Sequence, residues 1–179
     1  MNPRSRRRLV VGLAAPLVLT SGITFTQSVA AQPSQDNSGL RKLLWEYTQP
    51  APVVSPPVCD ATGNCVVSYS IVTTDPGSGD IVGTSVLVGT GVRLPDGSLY
   101  GNSTIKFTGT FKGCGSGSLA MRSTGFNRGG ATSGEIVIVP GSGTGDLAGL
   151  EGSGVVVDGI ADGTGAAGGV EMRIRCPGS

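Results

Sequence analysis

Histidine is missing from all 179 residues, and that absence limits the chemistry of this chain more than any residue present. Ser-His-Asp hydrolysis, Cys-His proteolysis, histidine-ligated zinc and a histidine general base are all excluded. Proton transfer or nucleophilic attack would fall to carboxylates, tyrosines, lysines, arginines or backbone dipoles. The side chains best suited to hold a ligand are Trp45, Tyr47, Tyr69, Tyr100, Phe107 and Met121. The three phenols can donate hydrogen bonds, and Trp45 offers a stacking wall. The same tyrosines also suit plain amphipathic packing at a rim. No catalytic residue, metal ligand or cofactor is assigned. Glu135 would be a carboxyl in an apolar setting only if its strand were registered the other way, because a one-residue slip exchanges the two faces. With the expected register, Glu135 and Arg122 fall on the surface of neighbouring strands, where an ion pair carries little energy.

Four cysteines, Cys59, Cys65, Cys114 and Cys176, allow three disulfide pairings. Cys59–Cys65 with Cys114–Cys176 is favoured. The first clips the loop Asp60-Ala61-Thr62-Gly63-Asn64, and the second ties mid-chain to the C-terminal region. A zinc site is the competing reading, but it has neither a close Cys-x-x-Cys pair nor a histidine partner.

The run Pro140-Gly-Ser-Gly-Thr-Gly-Asp-Leu-Ala-Gly-Leu-Glu-Gly-Ser-Gly154 contains the letters of a dinucleotide fingerprint, Gly143-x-Gly145-x-x-Ala148. That fingerprint needs a helix opening within it, and Gly149, Gly152 and Gly154 oppose one. No Lys-Ser/Thr closes the run as a P-loop requires, and a calcium-binding nonapeptide repeat would need further copies. The stretch is therefore expected to be a tight turn between two strands. Asp146 within it is expected to cap backbone amides rather than bind metal. Asn102-Ser103-Thr104 has the form of a glycosylation sequon, which a bacterial-style export signal makes irrelevant.

Strands must position all of these residues. Leu43, Trp45 and Tyr47 alternate with Leu44, Glu46 and Thr48 over Lys42–Gln49, and Pro50–Pro57 follows as an extended linker with four prolines. Further strands are expected at Val66–Thr74, Ile81–Thr90, Leu99–Lys112, Ser116–Gly125, Ser133–Val139, Gly152–Ile160 and Gly169–Cys176. Eight strands with no convincing helix indicate an all-β sandwich or barrel, and closure into a barrel would remove exposed edges. The lumen would then receive Val67, Tyr69, Ile71, Ile105, Phe107, Leu119, Met121, Ser123, Ile136, Ile138, Val155, Val157, Met172 and Ile174. Such a lumen suits a packed core or one small apolar ligand.

The glycine run, with Phe107-Thr-Gly-Thr-Phe111, Gly117-Ser-Leu-Ala-Met121 and Ser133-Gly-Glu-Ile136 before it, resembles bacterial proteins of the allene oxide cyclase-like and dirigent-like superfamily. The likeness covers about Gly101–Gly159. It implies an eight-stranded antiparallel barrel, often oligomeric through its outer surface, and in plant relatives a lumen that guides cyclisation or radical coupling of apolar substrates.

The first 31 residues read as a cleavable signal peptide. Arg4, Arg6, Arg7 and Arg8 precede the apolar stretch Leu9–Leu19, and Ser28-Val29-Ala30 or Val29-Ala30-Ala31 suits a peptidase. Ser5-Arg-Arg-Arg-Leu-Val10 also fits twin-arginine export, and an ordinary secretory route fits equally. Residues 32–41 read as a disordered leader and 42–179 as a single barrel domain, secreted or in the cell envelope. Once those four arginines are gone, nine basic residues face twelve acidic ones. The basic residues are scattered, so neither nucleic acid nor an anionic membrane surface has a footprint here, and no membrane insertion follows cleavage. Three functions remain: binding of a small hydrophobic molecule in the barrel, cofactor-free cyclisation or isomerisation, and a structural role as a homo-oligomeric envelope protein.

Overall fold

The computed structural model describes residues 39–74 and 76–178. The expected signal peptide and most of the expected leader lie outside the described residues. Eleven strands follow in chain order: β1 Arg41–Pro50, β2 Val53–Val54, β3 Val58–Cys59, β4 Cys65–Thr73, β5 Ser78–Gly79, β6 Ile81–Arg93, β7 Leu99–Phe111, β8 Gly115–Arg128, β9 Ala131–Ile138, β10 Glu151–Ala161 and β11 Gly165–Arg175. Among the described residues there is no α-helix, only a 3-10 turn at Gly145–Leu147.

All strands join one antiparallel sheet in the order β2-β4-β6-β7-β8-β9-β10-β11-β1-β5, with β3 beside β4. The sheet curls until β1 lies alongside β4 and β6. The eight long strands are the eight expected, yet the expected eight-stranded closed barrel is corrected in two respects. The Pro50–Pro57 stretch is not a bare linker, since it contributes β2 and β3, which pair with β4. Prolines lack an amide donor, so these pieces reach only two residues each. No hydrogen-bonded ladder joins β1 to β4 among the described residues. Among the described residues the seam is fastened at one end, by β5 pairing with Trp45 and Glu46 of β1 and by the Asp80 amide donating to Leu44 at 2.8 Å. The result is a half-closed, barrel-like sheet. Its first strand also begins at Arg41, a residue assigned above to the leader.

Alternation sends apolar side chains inward along each strand. Ile81, Phe111, Met121, Ile138, Met172 and Ile174 are wholly or almost wholly buried. Phe107 meets Trp45 and Phe111 edge to face, with ring centroids 5.6 and 5.4 Å away. The expected inward placement of Val155 and Val157 is corrected. Gly154 and Val156 are the residues opposite Met172 and Val170, while Val155 stands opposite Glu171 and is exposed. A β-bulge at Asp158, with φ 51°, then shifts the phase of β10, so that Gly159 and Ala161 face inward beyond it. A Val-Val-Val run fits either phase, so apolar count alone could not select it.

The glycine run packs one end of the barrel. Strand β9 ends at Ile138, leaving the first half of β8 without a strand on that side. Ser142, Thr144 and Asp146 take its place with their side chains, accepting the amides of Ala120 at 3.0 Å, Ser118 at 3.2 Å and Ser116 at 3.1 Å. The Thr144 amide donates back to the Ser118 carbonyl at 2.8 Å. The intervening glycines let the loop lie this close: a Cβ on Gly117 would stand 1.9 Å from the Thr144 carbonyl oxygen. The loop then turns Leu147 and Leu150 into the barrel end, where both are buried. Both expected disulfides are present, Cys114–Cys176 at this packed end and Cys59–Cys65 beside β3.

Candidate ligand cavity

The opposite end of the sheet, where the β6–β7, β8–β9 and β10–β11 turns lie, is hollow. A cavity of about 380 Å³ opens there. Trp45, Ile105, Ile136 and Val170 form its floor, above the packed half; Val67, Ile71, Leu87 and Val156 line its walls. Pro50, Pro52 and Val54 close its side across the seam. Its size is near the lower end for small-molecule pockets.

The hollow has a sequence cause. Gly91, Gly101, Gly125 and Gly134 stand in register across β6, β7, β8 and β9 at positions whose side chains would point inward. The Tyr69 phenol takes the place of a side chain at Gly101 and backbone oxygens crowd Gly91 and Gly134, so the open space lies at Gly125. A Cβ on Gly125 would meet only the Ser133 carbonyl oxygen, at 3.5 Å. A further row, Gly83-Gly109-Gly117, lies in the packed half, where the tip of the Phe107 ring occupies the space at Gly83 and Gly109.

Two tyrosines flank the unpaired seam, one on each strand. Tyr69 of β4 lies along the inner wall, its ring end over Gly89 and its oxygen 2.6 Å from where a Cβ on Gly101 would be. Tyr47 of β1 lies the other way, its oxygen near Gly168. Burial raises both phenols above their ordinary pKa; at Tyr47 the nearby Thr132 hydroxyl works against that shift. Thr132 Oγ1 is itself buried, and it approaches the phenol without reaching hydrogen-bond geometry. Ser103 and Ser123, paired with each other, add two more hydroxyls to the lining. Arg93 is exposed at the rim.

The structure thus brings Trp45, Tyr47 and Tyr69 together around the cavity. Phe107 and Met121 belong to the packed core below it, with 1% and 0% exposure. Tyr100 is on the outside, stacked on Phe126 with centroids 4.5 Å apart, in a shallow hollow of about 360 Å³ with Val66, Thr90, Val92, Asn102 and Thr124. Glu135 is exposed, in the outward register opposite Thr124 and Val155. Asp146 caps an amide as expected. The sequence reading overlooked Thr132, Ser103 and the glycine row. Their signal was there as inward-parity positions occupied by Gly, Ser or Thr toward one end of each strand.

No curated protein matches the chain. A solved structure of a protein with unknown function from the DUF3224 family of Shewanella oneidensis MR-1 is similar, with a TM-score of 0.59 and 17% identity over 78% of this chain and 99% of that one. At that identity the likeness shows the fold, and the fold is β-barrel-like. The family model "Protein of unknown function (DUF3224)" matches residues 61–165, which span β4 to the start of β11 and include most of the cavity wall. The chain belongs to the DUF3224 family.

Proposed function

We propose that this protein acts outside the cytoplasm and holds one small hydrophobic molecule in the open half of its barrel. The hollow upper barrel carries the reading. Protein interiors are packed to crystal-like density, and a void of this size above a filled core is the form of a binding site rather than of a core. Trp45 at the floor, the apolar walls and the seam strap from Pro50 to Val54 all suit an apolar guest. The two disulfides favour an oxidising compartment. Titration with a neutral hydrophobic dye such as Nile red tests the binding: saturable, near-equimolar uptake is expected, and Gly125→Leu should abolish it by filling the cavity. Uptake that never saturates, or that survives Gly125→Leu, sinks the reading. For the export half, mass spectrometry of secreted material should find a chain starting at Ala31 or Gln32.

An allene oxide cyclase-like kinship, and with it cofactor-free cyclisation, is a narrower form of this proposal. It rests on the motif resemblance, with Tyr47 and Tyr69 as the proton-bearing groups in the cavity.

A second reading is self-association through the outer sheet face. Val66, Val72, Val82, Val86, Val88 and Val92 are exposed on β4 and β6, and no outward position of those two strands carries a charge. Contiguous apolar surface of this kind marks interaction sites. Light scattering should then show a dimer or larger species that Val88→Lys breaks; a monomer at high concentration would rule it out.

A further inference from the structure

We propose that the occupant of the cavity is a neutral molecule, an apolar skeleton with one or two hydrogen-bond-accepting oxygens as in a ketone, ester or alcohol, held by the Tyr47 and Tyr69 phenols. The inference rests on the cavity-binding reading above and narrows it.

The hydroxyls around the cavity are under-used. Among the described residues the Tyr69 phenol makes no hydrogen bond, and the Tyr47 phenol has only the imperfectly placed Thr132 hydroxyl beside it. Thr132 Oγ1 is buried without a partner. Thr73 Oγ1 and Ser85 Oγ are buried without partners too, in the packed half, so the cavity wall is set apart by two under-used phenols standing beside open space. Geometry places the two phenols on different walls. Tyr69 reaches from β4 across to β7, and Tyr47 reaches from β1 toward Gly168 of β11, so the two donors flank the space rather than occupy it. A phenol is protonated at neutral pH in any setting, and burial raises both of these further, so both stand as donors.

Charge argues for a neutral guest. Above Trp45, every titratable group at an inward position is a phenol until the exposed rim, where Arg93 stands. Glu135 stands along the cavity's border on β9, and its register turns the carboxylate outward to solvent. A carboxylate or ammonium drawn into the hydrocarbon floor would lose its hydration with no opposite charge to meet it. An oxygen acceptor loses little, because a phenol replaces the water it gives up.

Four probes on one carbon skeleton test this with the intact chain: decalin, 2-decalone, 2-decalol and decalin-2-carboxylate. Trp45 is the chain's one tryptophan, so its emission reports the cavity floor, and displacement of Nile red gives a second readout. The ketone and alcohol are expected to bind about three- to ten-fold tighter than decalin and about ten-fold or more tighter than the carboxylate. Tyr47→Phe and Tyr69→Phe should each lower the affinity for 2-decalone by about three- to ten-fold. Unchanged binding of decalin then shows that the variants still fold and keep the cavity. Equal binding of decalin and decalone to the wild type overturns the inference and leaves the cavity reading standing. So does tightest binding of the carboxylate, particularly if Arg93→Gln removes it. Failure of all four probes, decalin included, sinks the cavity reading and the inference together.

Discussion

Ser142, Thr144 and Asp146 alternate with glycines because each side chain must reach a β8 amide while the backbone between them lies against that strand. The two kinds of glycine in this loop should respond differently to substitution. Gly143 has an ordinary φ, but its Cβ would stand 1.9 Å from the Leu147 carbonyl oxygen, so Gly143→Ala must displace the turn that delivers Leu147. A loss of about 3 kcal/mol or more is expected, on the scale of emptying a leucine site. Gly149 has open space around it and a φ of 88°, so Gly149→Ala should cost only about 1–2 kcal/mol of backbone strain. Urea unfolding of the two variants separates the cases, and equal losses would contradict this account. The sequence showed that the run is a turn and that Asp146 caps it, since glycine and aspartate have those local habits. It did not show the plug, because Leu147 and Leu150 gain their meaning only from the barrel end they fill.

At the level of elements, β10 and the seam hold the main departures from regularity. Asp158 sits at φ 51° in the β10 bulge, a left-handed conformation that glycine adopts more readily. Asp158→Gly is expected to raise stability by about 0.5–1 kcal/mol in thermal unfolding, and a loss of stability would show that the aspartate side chain matters there. Asp80 fastens the seam: its carboxylate accepts Lys112 Nζ at 2.7 Å and the Leu44 amide at 3.2 Å. The Lys112 hydrogen bond, then the Leu44 amide, holds the Asp80 carboxyl below its ordinary range. A depressed folded-state pKa stabilises above the unfolded value and loses that contribution as pH falls through the folded one. The melting-temperature gap between wild type and Asp80→Asn should therefore be widest near neutrality and should narrow below about pH 4. A gap independent of pH would locate the effect elsewhere. The long strands were legible from alternation. The bulge, β5 and the paired pieces of the proline stretch were not, since two-residue pairings leave no periodic trace.

Across the whole domain, packing is uneven: filled at the glycine-run end, hollow at the other. The two disulfides divide in the same way. Cys114–Cys176 spans 62 residues and ties the packed end, whereas Cys59–Cys65 spans six and anchors the strap beside the cavity. Replacing both members of the first pair by serine should cost roughly 4 kcal/mol and of the second roughly 2 kcal/mol on the chain-entropy account. Denaturant titration checks the ranking, and a reversed order would mean that the strap contributes more than its loop length. Barrel-like curvature was legible from eight alternating segments. The cavity was not, because it depends on Gly125 having nothing across from it while Tyr69 covers its neighbour Gly101, and register between strands is a long-range property. Strand direction adds one more result. Arg41 and Arg175, where the chain enters and leaves the sheet, both lie at the filled pole. A tag, carrier or surface support joined directly ahead of Arg41 or after Arg175 would thus sit at the pole opposite the aperture, which an arriving guest must enter.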